Sequence, residues 1–279
     1  FLWFGTKDGL NRYDGYTFKI YRNNPSDSNS IGNNSIWRLY EDEKGTLWVG
    51  TERGLFSFDY ATERFTLLKD APQAEISGIT TDKEGNLWFL AGFKVHRYTP
   101  ATKNLERFDN TKELSFCVTI TRSQKGEIWI GNISGELLRF NSRTNTFNIY
   151  NVFWHSPPSS SGWIDKIYDT GLGFFFIGTS SQGVKKFNPD TGHYEDILTY
   201  NDDNTEIYVR DFIQNKETEF WIATESGIYI YDLHQNSFQH LKKNTVNPYA
   251  LSDNAVYSFA KDREGGIWAC TYFGGINYY

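Results

Sequence analysis

Seven times along this chain an aromatic residue, usually Trp, is followed by a position often held by Gly, a tight Gly turn, an apolar run, and Tyr or Phe before Asp or Asn. The clearest copies are Leu47-Trp48-Val49-Gly50-Thr51-Glu52-Arg53-Gly54-Leu55-Phe56-Ser57-Phe58-Asp59 and Leu2-Trp3-Phe4-Gly5-Thr6-Lys7-Asp8-Gly9-Leu10-Asn11-Arg12-Tyr13-Asp14. The anchors Trp3, Trp48, Trp88, Trp129, Phe176, Trp221 and Trp268 stand 40 to 47 residues apart. That period suits a four-stranded propeller blade and is too long for ankyrin, tetratricopeptide or leucine-rich units. Such a chain is an array, and its function must be sought in what varies between copies.

One copy reads as one blade. Ser35 to Glu41 is rich in branched and aromatic residues and ends at Asp42-Glu43-Lys44-Gly45, where Asp opens a turn and Gly supplies a positive φ. Thr46 to Thr51 is a second strand, Leu55 to Tyr60 a third, and Arg64 to Leu68 a fourth. Both faces of these strands carry large apolar residues, as they must when neighbouring sheets cover both sides. First strands are expected near residues 35, 76, 115, 164, 207 and 255, one fewer than the anchors. The expectation is therefore all-β: a single seven-bladed β-propeller over 1–279, of four-stranded antiparallel blades, with the first blade lacking its innermost strand and the last its outermost. Gly5, Gly50, Gly131 and Gly178 fit sites where blades converge and a Cβ would intrude. Leu90, Ala223 and Cys270 replace that Gly, so the third blade in particular is expected to be distorted.

The 279 residues are enough for a core without metal or disulfide support. A net charge of -6 with scattered Lys and Arg argues against nucleic acid, which needs a clustered basic footprint. No apolar run approaches the roughly 18 residues that span a bilayer, so no membrane contact is expected within this stretch. Met is absent and the chain opens in mid-motif, which reads as a piece of a longer protein. Cys117 and Cys270 fall in the fourth and seventh copies and are expected to be buried free thiols.

The Trp-Val-Gly-Thr-x-x-Gly-Leu core with its following Phe-Asp, together with Gly274-Gly275-Ile276-Asn277-Tyr278-Tyr279, resembles the two-component regulator propeller repeat over the entire chain. The resemblance implies the periplasmic sensor region of a hybrid two-component system of gut Bacteroidetes, its parent anchored in the inner membrane. It also implies a second propeller and an immunoglobulin-like domain in the same parent chain, then a membrane helix, a histidine kinase, a receiver and a DNA-binding domain. The ligand it implies is an oligosaccharide released from a polysaccharide.

Catalysis, cofactor and metal chemistry are not expected. The chain has no Gly-x-Ser-x-Gly elbow, no His-Glu-x-x-His, no Gly-x-x-x-x-Gly-Lys loop and no Cys-x-x-Cys pair. His96, His193, His234 and His240 read as surface or rim residues, and Asn201-Asp202-Asp203-Asn204 as a solvated connector without the ligand spacing of a calcium loop. Triads assemble from distant sequence, so a propeller lyase or hydrolase stays as a third reading.

Ligand binding is expected where fourth-to-first connections and second-to-third turns meet, because the connections Asn23 to Asn34, Asn151 to Gly162 and Asn244 to Asn254 are long and unlike one another. Trp154, His155 and Trp163 form a candidate subsite, with aromatic faces to stack on sugar rings. The competing expectation is that both Trp residues plug a blade interface. Lys7, Arg53, Tyr272 and Phe273 lie on second-to-third turns of the same rim, where Arg could pair with a uronate or sulfate. The alternatives are thus an oligosaccharide sensor signalling through domain arrangement or a homodimer, or a protein-interaction scaffold without a small ligand.

Overall fold

Seven antiparallel sheets follow one another in chain order in the computed structural model, which describes residues 1–109, 111–154 and 161–279. Each is a meander of strands joined to their sequence neighbours, the product of branched and aromatic segments broken at Gly-containing turns. The second sheet holds Ile36–Glu41, Leu47–Thr51, Gly54–Asp59 and Arg64–Leu67. The first has only Leu2–Thr6, Gly9–Tyr13 and Phe18–Tyr21, so its innermost strand is missing. The seventh has Val256–Lys261, Ile267–Thr271 and Ile276–Tyr278, so its outermost is missing. The fold class is the expected all-β, seven-bladed propeller with incomplete first and last blades. First strands begin at Ile36, Ile76, Cys117, Ile164, Val209 and Val256. The helical segment found among the described residues is a three-residue 3-10 turn, Lys112–Leu114, which delays the fourth blade's first strand to Cys117.

Contacts group the chain into two compact units, Phe1–Asn132 with Leu138–Asn148, and Ile133–Leu137 with Ile149–Tyr279. In the first unit the anchor of one blade wedges into the next: Trp3 meets Phe58 edge-on at 5.1 Å, and Trp88 stacks on Phe108 and meets Phe140 at 4.7 Å. In the second unit Phe176 does the same against Tyr231 at 6.0 Å, with Phe212 and Phe220 beside it. Aromatic pairs of this kind add about 0.5–1.5 kcal/mol each beyond the area they bury.

The anchor also reaches sideways to its own hairpin turn. Trp48, Trp88 and Trp268 donate their indole Nε1–H to Asp42, Asp82 and Asp262 at 2.8 to 2.9 Å. The other oxygen of each Asp takes two backbone N–H groups of the turn, such as those of Lys44 and Thr46. Where the Asp is lost, the acid moves and the bond survives: Trp221 donates to Glu219 at 2.8 Å and Trp129 to Glu127 at 3.4 Å. Phe176 has no donor, and its turn closes instead by Thr170 Oγ1–H donating to the Phe174 carbonyl.

Close approach explains the Gly after the anchor. A Cβ on Gly5, Gly50 or Gly178 would lie 2.6 to 2.7 Å from a methyl of Ile36, Ile76 or Val209, the first residue of the next blade. The third blade is not distorted by Leu90: its ladder keeps the pairing and the bulge of its neighbours. The residue facing Leu90 is Gly78, where the other blades carry Arg38, Thr119, Lys166, Asp211 or Ser258. The small residue has moved across the strand pair, and Gly78 now makes the approach, its missing Cβ lying 2.6 Å from Ile120.

Replacing Asp82 with Ala strands the buried Trp88 indole N–H, so Asp82→Ala is expected to cost about 2–4 kcal/mol. Urea denaturation checks this, and the double variant Asp82→Ala/Trp88→Phe should cost less than the two singles together.

Candidate functional site

Six complete first strands share one irregularity. Each pairs with its second strand through a bulge between its first and third residues, at 36/38, 76/78, 117/119, 164/166, 209/211 and 256/258. A bulge leaves the intervening residue outside the ladder and re-aims its side chain. Those residues are Trp37, Ser77, Val118, Asp165, Arg210 and Tyr257, a chemically varied column in an otherwise apolar repeat. The neighbouring second-to-third turns are uniform in backbone. Thr6, Thr51, Thr179, Thr224 and Thr271 each donate a hydroxyl hydrogen bond to the Gly carbonyl that closes the turn.

In the second unit this column forms a continuous cluster. Arg210 pairs with Glu225 and stands 3.5 Å from Asp165. Its guanidinium lies 5.0 Å from the Tyr257 ring, Tyr257 packs at 5.4 Å on Tyr272, and Tyr272 meets Phe273 edge-on at 4.5 Å. Lys166 pairs with Asp211 at 2.7 Å, and Asp211 also accepts the Phe259 N–H. Burial works against the Arg210 charge, but the Glu225 hydrogen bond and the nearby Asp165 charge outweigh it, so its pKa stands above the ordinary value. Burial likewise pushes Tyr257 up, against the pull of Arg210. In the first unit Trp37 is exposed, and Arg38 lies near Glu75, whose pKa burial raises and Arg38 lowers.

Tyr272 and Phe273 therefore belong to the cluster. Trp163 precedes it by one turn of chain: its carbonyl accepts the Ser180 N–H, and its ring is 41% exposed. Trp154 is 77% exposed and does not plug a blade interface. Beside Trp154, half-buried Phe153 packs its ring against Gly135 and 4.7 Å from the Lys185 ammonium. Lys185 is fully buried and bonded to Asp196, and this clamps the base of the Trp154 segment. His155 lies outside the described residues. Lys7 and Arg53 are exposed on turns of the first unit.

Four other expectations are corrected. The connections 23–34 and 244–254 are built alike: Asn34 and Asn254 each accept the N–H of the residue eleven earlier at 2.7 Å, and Asp27 and Asn247 open identical turns. Ile31 and Leu251 are buried at matching places, so these are scaffold rather than variation. His96 is buried at 3% exposure against Phe89, and half-buried His240 stacks 3.7 Å over Tyr229 with Nε2 on the Ser226 carbonyl. Asn201 is buried, donating to Thr205, Glu206 and Ser226 and accepting from Tyr229, while only Asp202 to Asn204 are solvated. Cys117 is a buried free thiol as expected, whereas Cys270 is half-buried, with burial raising its pKa. Among the described residues no group of His, Cys, Asp and Glu has the geometry to hold a metal ion.

Two segments, 30–53 and 250–273, match the two-component regulator propeller family, and they are the two that share the connection just described. The chain carries two-component regulator propeller repeats. Histidine kinase P4 of Formosa agariphila is 77% identical over 30 residues, 11% of this chain and 2% of the kinase. The crystal structure of an extracellular domain described as the hybrid two-component system BT3049 of B. thetaiotaomicron is similar over 99% of this chain and 38% of that one, at 26% identity and a TM-score of 0.82. The corresponding domain of BT4673 matches over 99% and 36%, at 21% identity and a TM-score of 0.85, which speaks for the fold alone. So does a streptogramin B lyase, at 16% identity and a TM-score of 0.75 over 99% of this chain and 88% of the lyase. The chain thus spans less than two fifths of these two extracellular-domain structures.

Burial holds the pKa of His96 and of His240 below the ordinary histidine value. The folded chain prefers both neutral, so their contribution to stability is present above about pH 6.5 and is lost as pH falls below it. The melting temperature should drop between pH 7.5 and 5.5, and His96→Gln/His240→Gln should flatten that slope.

Proposed function

We propose that residues 1–279 act as one propeller domain in the extracytoplasmic sensor region of a hybrid two-component signalling protein, where they recognise an oligosaccharide and break no bond. The observation that supports this reading most is the surface running from Asp165 through Arg210 to Tyr257, Tyr272 and Phe273. Flat exposed rings suit the apolar face of a sugar, and the arginine and carboxylates at their edge suit its hydroxyls. The similarity to extracellular domains of hybrid two-component systems supports the location, which we read as periplasmic with a parent anchored in the inner membrane. His193 and His234 do not serve the site in this reading: they stand on third-to-fourth turns, at the opposite end of their sheets from the second-to-third turns.

Ligand would shift the population of arrangements between this propeller, a second propeller and an immunoglobulin-like domain of the parent, or of its homodimer. A second reading, docking of a protein partner without a small ligand, is favoured by Val246 and Tyr249, each 89% exposed on the 244–254 connection.

Titration calorimetry of the chain against neutral, acidic and sulfated oligosaccharides tests the proposal. Binding is expected, and Tyr272→Ala/Phe273→Ala should weaken it at least tenfold, about 1.4 kcal/mol or more. Silence across the panel, also with the whole extracytoplasmic region, overturns it.

A further inference from the structure

The cluster around Arg210 is not an anion site, although an arginine among aromatic rings suggests one. The Arg210 guanidinium is committed to Glu225 and Asp165. Lys166, next to Asp165 on the same strand, is committed to Asp211. A fourth carboxylate, Asp253, accepts the Phe273 N–H and so sits at the foot of the outermost ring. These six charged groups comprise four carboxylates and two cations, a formal excess of two negative charges, interleaved with Tyr257 and Tyr272. Salt bridges at half-buried positions are screened less than surface ones, and an incoming charge lands well inside the roughly 8 Å screening length of physiological salt.

Resting on the sensor reading above, we infer that this surface selects uncharged oligosaccharides and rejects uronate-bearing and sulfated ones. An anionic sugar has to displace Glu225 or Asp165 from Arg210 and leave that carboxylate facing a like charge. A neutral sugar leaves the pairs intact: its hydroxyls donate to Glu225 and Asp253, and its ring lies on Tyr272 and Phe273. Glu225 and Asp253 are thus the specificity-determining residues, acting by repulsion of the wrong ligand as much as by attraction of the right one.

Calorimetry with length-matched pairs tests this: neutral gluco-, xylo-, manno- and galacto-oligosaccharides against oligogalacturonides and sulfated chondroitin oligosaccharides, at low and at 0.5 M salt. At least one neutral probe is expected to bind ten or more times tighter than every acidic one, with the gap narrowing at high salt. Glu225→Gln and Asp253→Asn, tested separately so that one folding failure does not decide the matter, should each raise acidic-probe affinity relative to neutral. An acidic probe that binds tightest, and weakens as salt rises, overturns the selectivity while leaving the sensor reading in place. If no probe binds, the sensor reading itself falls and the selectivity with it.

Discussion

The bond from an anchor indole to the acid of its own hairpin turn is the constraint on which the blades depend. A Trp wedged between sheets is desirable for its area but carries one N–H, and burying that donor without a partner costs on the order of the stability a single side chain contributes. The Asp of the turn solves two problems at once, since one oxygen closes the turn's backbone and the other takes the indole. That double duty explains why the acid relocates to Glu127 or Glu219 when the turn changes, and why in the Phe176 blade the turn's Asp169 serves the backbone, accepting the Gly171 N–H. The correlation between anchor and acid is chemical, and a blade that kept its Trp but lost every nearby acceptor would not be a stable variant of this repeat.

A second constraint works at the other end of the anchor strand. Sheets that converge need one small residue per pair of strands, and the chain is indifferent to which strand supplies it. The pair Gly78 and Leu90 meets the requirement as well as Arg38 and Gly50 do, with the volumes exchanged. The bulge in every complete first strand follows from the same crowding: it bends the strand where the next blade's first residue presses on the Gly.

The period, the strand count and the cut of the first and last blades were legible because they rest on local signals: aromatic anchors, turn Gly residues and the lengths between them. The undistorted third blade was not, since Leu90 was read alone and its compensation stands twelve residues earlier on a facing strand. The alikeness of 23–34 and 244–254 was legible in principle. Asn34 and Asn254, and Ile31 and Leu251, hold the same offsets from the anchors, but Pro25 and Pro248 fall at different places and draw attention to a difference the backbone does not have. Trp154 and Trp163 drew notice by their size, whereas the aromatic that packs inward beside Trp154 is its neighbour Phe153, held against Gly135 and Lys185, the latter on a strand thirty-odd residues away. Of the candidate residues, Tyr272 and Phe273 came together with partners that no motif announces, Asp165, Arg210, Glu225 and Tyr257.

Those partners were hidden for a physical reason that also makes them suited to recognition. Alternation along a strand reveals a face only while the register holds, and the bulge breaks it one residue into each first strand, so Asp165, Arg210 and Tyr257 sit out of phase with the apolar pattern. A residue outside the ladder makes no cross-strand ladder pair, so its identity can change without loss of anchor, turn acid or close Gly. Packing requires the bulge, the bulge creates a column released from packing, and the column faces turns whose backbone Thr and Gly hold fixed. A repeat built this way can change these side chains blade by blade while the fold stays the same.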